Sequence, residues 1–346
     1  MGSTTTGVLD EAYERFAATG PEFVGWLSNH GPMAAEAMVR GGHDSQVHAW
    51  IDAYAKRLEA RPAGSEPIDR TNWRVALGDP TRLGDWLTFF ERATTEAPWC
   101  DVLATWWPRL LPGIAAGATH GVIRVGHAIR SLSETDVDTR VAELAYGLGY
   151  WAARWQEIPA LTAPTGTGSA GHALEAVPLV PSQAGGIVER LAQLPDVPEW
   201  KPAIAAGPTA VTPEAARANL TALVDAATFS YLERGHGNAI MLVHAATAPN
   251  AVLRSLPALP HELWVPSWNA AWSASAAVTA AYAAPDRHTA SAQPPLDADD
   301  VVSRAISHGD EHAIKLADTA VDVHARTGDP RALAAAIRAT NLIPAA

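Results

Sequence analysis

The stretch DSQVHAWIDAYAKRLEA, residues 44–60, decides how the fold is read. Val47, Trp50, Ile51, Tyr54 and Leu58 recur at spacings of three and four, the mark of a helix with one apolar face. The same period follows an Asp-Pro-Thr start over 80–97, which carries Leu83, Trp86, Leu87 and Phe90. Equivalent patterns predict helices over 100–111, 117–132, 137–155, 170–194, 213–233, 238–256, 270–284, 298–307, 311–327 and 330–341. Alternating Val- and Ile-rich runs closed by hairpin turns are missing. The expected fold is therefore all-α, one large multi-helix domain over residues 1–346, with 1–10 expected to be disordered. The clearest loops are 61–70, 158–169 and 285–295, each containing Pro or Gly.

The chain has 346 residues, 37 acidic against 25 basic, for a net charge of −12, and 48% are hydrophobic. This is a globular composition with ample core. Its acidity argues against a nucleic-acid partner, which would need a basic face. A single cysteine, Cys100, excludes an internal disulfide framework and fits a reducing cytoplasm. The N-terminus lacks the charged start and apolar run of a secretory signal. Residues 263–285 are uncharged and long enough to cross a bilayer, but Ala, Ser and Pro266 make them a poor span, so they read as a buried helix and no membrane is expected.

Gly166-Thr-Gly-Ser-Ala-Gly171 matches GxGxxG, but no strand precedes it and no acid ends a second strand after it. A loop feeding a helix start explains it better than a dinucleotide site. The tryptophans Trp264, Trp268 and Trp272 form a stripe at helical spacing, which core packing explains first and a flat ligand second.

The thirteen histidines offer more chemistry. His30 stands in a turn before a helix that starts near Pro32, and His48 lies inside the 44–60 helix. His120 and His127 are seven apart, on one helix face and about 10 Å apart in rise. Arg124 lies between them. They can share one metal, or one can ligate while the other acts beside it. His244 sits on an apolar helix, where a hydrogen-bonded core histidine is the ordinary explanation. His308, His312 and Lys315 share a helix face, where a surface pair between Glu311 and Lys315 is the ordinary explanation. The 25 basic residues include only three lysines, Lys56, Lys201 and Lys315. Spacing alone leaves several helical histidines able to converge, and no more.

Several longer motifs go further. WLSNHGPMAAEA (26–37), VHAWIDAY (47–54), Pro98-Trp99, WWPRLLPG (106–113), ATHGVIR (118–124), VHAATAP (243–249) and DEHAIK (310–315) resemble the questin oxidase-like family, from about residue 12 to 324. The resemblance implies an oxygenase that uses O2 to open a ring of an anthraquinone-like aromatic polyketide. It implies mononuclear non-haem Fe(II) held by histidines and a lysine carboxylated by CO2. Carried onto this chain, the lysine is Lys315 and its neighbour His312. His30, His120 and His244 complete the metal set, with His48 and His127 in reserve. His127, His48 and Arg124 are the candidate catalytic groups, one histidine serving as base toward a phenol. Asn250 stands where relatives are expected to carry another histidine. A separate quinone reductase is a possible partner. Two rival readings remain: a metal-free, NADPH-dependent Baeyer–Villiger-type monooxygenase, and a non-catalytic polyketide binder.

Overall fold

Side-chain caps set many of the helix starts. Thr212 accepts from the backbone N–H of Ala215, Asp297 from that of Asp299, Asp310 from those of His312 and Ala313, and Asp329 from that of Arg331. Each such cap stabilises its helix by about 1 kcal/mol. The computed structural model describes residues 7–288 and 297–346. In chain order the N-terminal half holds α1 (Val8–Ala17), a hairpin of β1 (Glu22–Phe23) and β2 (Leu27–Ser28), α2 (Gly31–Arg40), α3 (Asp44–Tyr54), α4 (Trp73–Ala76), α5 (Leu83–Glu96), α6 (Trp99–Leu110), α7 (His120–Glu134) and α8 (Asp138–Ala153). The C-terminal half adds α9 (Ala170–Glu175), α10 (Ile187–Leu191), α11 (Trp200–Ala205), α12 (Pro213–Arg234), α13 (Ala239–Leu242), α14 (His244–Ser255), α15 (Trp264–Tyr282), α16 (Ala298–His308), α17 (Glu311–Thr327) and α18 (Pro330–Leu342). The all-α expectation holds, with the two-residue strands of one hairpin as the sheet among the described residues.

Four helices make the centre. α2 packs on α7, α7 on α14, α14 on α17 and α17 back on α2, closing a ring. α1 and α3 cover α2, while α8, backed by α5, covers α7. α12 and α15 cover α14, and α16 and α18 cover α17. The hydrophobic interior divides accordingly. One core gathers side chains of α5 to α8, α12, α14 and α15, the other those of α1 to α3 and α16 to α18. The ring straddles the seam between these cores, where its inward polar side chains have neighbours on every side.

Several boundaries differ from the sequence reading, each for a local reason. The predicted 170–194 helix is broken into α9 and α10, because Pro178, Pro181 and the Gly185-Gly186 pair lie between them and proline lacks the donor a helix needs. The 117–132 helix starts only at His120, because Gly117, Ala118 and Thr119 all have positive φ (52°, 57° and 70°). The 238–256 helix is interrupted at Val243, and the 270–284 helix begins six residues earlier, at Trp264. Residues 8–10 open α1, whereas 1–6 of the stretch expected to be disordered lie outside the described residues, as do 289–295 of the expected 285–295 loop.

α15 is buried along most of its length, and no described helix is long and apolar enough to cross a membrane. Its tryptophans are core: Trp268 donates to the Pro208 carbonyl at 3.0 Å and Trp272 to that of Ile204 at 2.9 Å. The GxGxxG segment is tied by its backbone, Gly166 N–H donating to Gly207 at 2.8 Å and its carbonyl accepting from Thr209 at 2.9 Å. Those bonds occupy groups a phosphate loop would leave free.

Candidate metal centre

The ring helices begin at the site. His30 caps α2, His120 is the first residue of α7, His244 the first of α14, and His312 the second of α17. Four helix N-termini therefore meet, although their residues are spread over nearly three hundred positions of sequence. His30 is fixed by its own backbone N–H, which donates to the Tyr54 hydroxyl at 2.7 Å, and by Asn29, whose side chain takes the Gly31 N–H at 2.9 Å. The left-handed turn before His120 ends in a bond between the ring Nδ1 and the Gly117 carbonyl. A non-glycine residue with positive φ is costly, and two follow Gly117 directly. Gly117 itself has no room for a side chain, since a Cβ there would lie 2.3 Å from the Tyr150 hydroxyl.

The rings converge. His30 Nε2 lies 2.6 Å from His120 Nε2, which lies 3.0 Å from His244 Nε2. The His312 ring centroid is 4.5 Å from that of His30 and 5.5 Å from that of His244. His30, His120 and His312 can each turn a ligand nitrogen toward a common point. The opposite ring nitrogens face acceptors, hydrogen-bonded in His120 and His244. His120 Nδ1 faces the Gly117 carbonyl, His244 Nδ1 the Met241 carbonyl at 3.1 Å, His30 Nδ1 a Glu311 oxygen at 3.5 Å, and His312 Nδ1 an Asp310 oxygen at 3.4 Å. With Nδ1–H of His120 and His244 given to these carbonyls, their Nε2 atoms present lone pairs 3.0 Å apart, which repel unless a cation lies beside them. Metal-ligating histidines characteristically give their other N–H to a carboxylate or carbonyl in this way.

Electrostatics favour the neutral form of three of the rings. Burial is the largest cause that pushes His30, His120 and His244 well below the ordinary histidine value, and the charges of Lys315 and the neighbouring rings add to it. The positive ends of four helix dipoles act in the same sense. Lys315 is fully buried and its Nζ has no hydrogen-bond partner. Burial lowers its pKa to about 7, against the opposing pull of Glu311 and Asp310. A buried ammonium without partners is too costly to persist, so the amine tends to lose its proton. An orphaned amine beside convergent imidazole lone pairs fits a divalent transition ion, for which neutral imidazole is a common ligand.

A second polar layer lies further along the same four helices. Glu36 of α2 bonds His127 Nδ1 at 2.6 Å and Arg130 Nε at 2.6 Å, both on α7. Arg130 reaches Asp318 of α17 at 3.0 Å, and Arg254 of α14 reaches Asp318 at 2.7 Å and Asp322 at 2.6 Å. Arg40 closes the network on Asp318 and Asp322. These residues follow the site histidine of each helix by six to ten positions, about 9–15 Å of helix rise. The helices must therefore run side by side in one direction, locked by ion pairs below the histidines.

His30, His120, His244, His312 and Lys315 thus stand together, and the other sequence candidates stand apart. His48 is half-exposed, against Glu11 at 3.1 Å, because it sits at the edge of the apolar face of α3 formed by Val47, Trp50, Ile51 and Tyr54. His127 is buried in the second layer. Arg124 is buried against Glu143, which takes its Nε at 2.6 Å and Nη2 at 2.7 Å, while Nη1 has no partner. Asn250 donates to the Thr319 hydroxyl at 3.2 Å, beside the ion pairs. The surface pair read for Glu311 and Lys315 is overturned: both are buried, and Glu311 instead takes Arg57 at 2.8 Å and faces His30. Glu36, Glu143, Asp310 and Asp318 were not anticipated. Only Asp310 left a sequence signal, as an acid before a helix.

Fold and site together define a helical protein organised round a buried cluster of imidazoles and one lysine. Residues 27–154 match the family model described as Questin oxidase-like, which supports the resemblance carried by the motifs. The matched segment contains His30 and His120 and ends before His244, His312 and Lys315. No curated protein matches the chain.

Proposed function

We propose that this protein is an oxygenase that opens a ring of an anthraquinone-like aromatic polyketide with O2, at a mononuclear non-haem iron. The family match supports an oxygenase acting on anthraquinone-type polyketides. The observation that carries the metal is the meeting of His30, His120, His244 and His312, with the buried, unpartnered amine of Lys315 one helical turn beyond His312. These four imidazoles would hold the ion, with Lys315 contributing an anionic oxygen as its carbamate. When bound, Fe(II) supplies the one-electron chemistry with O2 that organic side chains lack.

The chain's own residues prepare the rest. A neutral lysine amine attacks CO2 and releases a proton, giving the carbamate. The pKa of about 7 makes that amine available near neutrality. Four helix N-termini stabilise the negative charge so created, and Glu311 and Asp310 orient the imidazoles that face it. The two hydrophobic cores on either side keep bulk water from the site. Arg124 presents Nη1 for an oxyanion developing on the substrate, its remaining donors being held by Glu143. His127 is the base for a substrate phenol. Burial keeps its ring neutral, and Glu36 on Nδ1 would stabilise the imidazolium it becomes. His48, half-exposed beside Glu11, has no part in this scheme.

The test is oxygen consumption on a hydroxyanthraquinone and its hydroquinone, with and without added Fe(II) and NADPH. Uptake that needs Fe(II) and the hydroquinone supports the proposal and points to a separate reductase. Uptake that needs NADPH but no metal would favour the Baeyer–Villiger alternative, and tight binding without uptake a carrier protein.

A further inference from the structure

A second cluster of ligand-type side chains lies outside the buried centre and shares no residue with it. His236 stands in the short turn Gly235–Gly237 that ends α12, while Asp286 and His288 follow α15. The Nε2 atoms of the two histidines face the two oxygens of Asp286, each at 3.3 Å, and the rings stack with centroids 3.8 Å apart. All three residues can offer a ligand atom to one point.

The spacing is informative. A charge-assisted N–H to carboxylate bond settles at about 2.7–2.9 Å. Ligands held about 2.0–2.1 Å from a tetrahedral ion lie about 3.3 Å from one another. At 3.3 Å the His236–Asp286 contact is a long hydrogen bond, and the same separation suits two ligands of one ion.

The backbone holds this geometry in advance. His288 N–H donates to the Glu233 carbonyl at 3.0 Å, Ala284 N–H to that of Arg234 at 3.3 Å, and Arg234 Nε to that of Ala284 at 2.9 Å. The two segments approach so closely that a Cβ on Gly237 would lie 2.4 Å from the Ala284 nitrogen, so only glycine fits there. His236 Nδ1 is buried without a partner, which leaves its ring oriented through Nε2 alone.

We propose that His236, Asp286 and His288 form a second divalent-metal site, of the zinc, nickel or copper class, that clips the end of α12 to the segment after α15. Two imidazoles and one carboxylate supply the protein ligands, and water completes the shell on the exposed side. The site is a staple rather than a reaction centre, and it does not rest on the oxygenase reading.

Calorimetric titration of the full chain with Zn2+, beside melting curves, tests it. The wild type is expected to take up one more Zn2+ per chain than His288→Ala or His236→Gln, and Zn2+ is expected to raise the melting temperature of the wild type more than theirs. Asp286→Asn is expected to weaken that uptake by at least about tenfold. Equal stoichiometry and equal thermal response in the wild type and His288→Ala would overturn the proposal. His288 is half exposed, so its replacement leaves the fold intact and the comparison clean.

Discussion

The Nε2 atoms of His30 and His120 lie 2.6 Å apart, and each ring turns its Nδ1 toward an acceptor, Glu311 for one and the Gly117 carbonyl for the other. With its own proton given to the Gly117 carbonyl through Nδ1, His120 presents a lone pair at Nε2. Two neutral imidazoles in this attitude are complementary to a cation, and His244 and His312 extend the arrangement. The helices that bring them together start at the site and are tied to one another below it, so the fold and the centre have a common cause.

Lys315 is the sharpest handle on that centre. Lys315→Arg keeps positive charge but cannot form a carbamate, and Lys315→Ala removes the group altogether. Both variants are expected to bind Fe(II) at least about tenfold more weakly than the wild type. Carbon-13 NMR in labelled bicarbonate should show a carbamate signal in the wild type that both variants lack. A Lys315→Ala protein with full iron affinity would sink the role given to this residue.

Arg130 connects α7 to both Glu36 and Asp318 from a buried position. Arg130→Met leaves two buried carboxylates short of a partner, and loss of one member of such a network costs about 3–5 kcal/mol. Denaturant unfolding should report a loss in this range, with Fe(II) binding weakened in the same variant because the histidine-bearing helices lose their tie. A change below about 1 kcal/mol would show that the network does not hold the ring together.

Gly117→Ala tests the left-handed turn that delivers His120. The new methyl group meets the Tyr150 hydroxyl, and φ of 52° is unfavourable for alanine. A lower melting temperature and weaker iron binding are expected together, the backbone strain alone costing roughly 1–3 kcal/mol. An alanine variant with wild-type stability would mean that the turn is not under the constraint described here.

Acid should loosen the ring before it unfolds the rest. Burial pulls Glu36 and Asp318 upward, but Arg130, with His127 beside Glu36 and Arg254 beside Asp318, outweighs it and holds both carboxyls well below their ordinary range. A carboxyl depressed in the folded state binds fewer protons there than in the unfolded chain, so its stabilisation is complete above about pH 4–5 and is lost as pH falls toward the folded values. Urea unfolding of the metal-free protein at pH 7, 5, 4 and 3 should show stability falling through the lower part of that series. Glu36→Gln should flatten the fall, and an unchanged slope in that variant would count against the assignment.

What the sequence made legible follows from how local each feature is. α17 was read with its true limits because Asp310 caps it, apolar residues keep its period and Gly328 ends it. The histidines on it were visible, but their surroundings were not. Spacing of four makes Glu311 and Lys315 look like an exposed pair, and nothing in the spacing says that α2 and α14 will cover both. Glu36 gave no signal, since its partners His127 and Arg130 both lie on α7, about ninety positions away. The split of 170–194 is legible in Pro178, Pro181 and Gly185-Gly186, breakers that outweigh the apolar period running through them. Positive φ at Ala118 and Thr119 was not readable, because neither residue type prefers it.

One iron is expected among His30, His120, His244, His312 and Lys315. The most direct test is the iron content of the purified full chain after anaerobic Fe(II) loading and removal of excess metal, compared with His120→Ala treated identically. About one iron per chain is expected in the wild type and almost none in the variant, with circular dichroism showing both to be helical. Iron absent from the loaded wild type, or retained equally by His120→Ala, would contradict it.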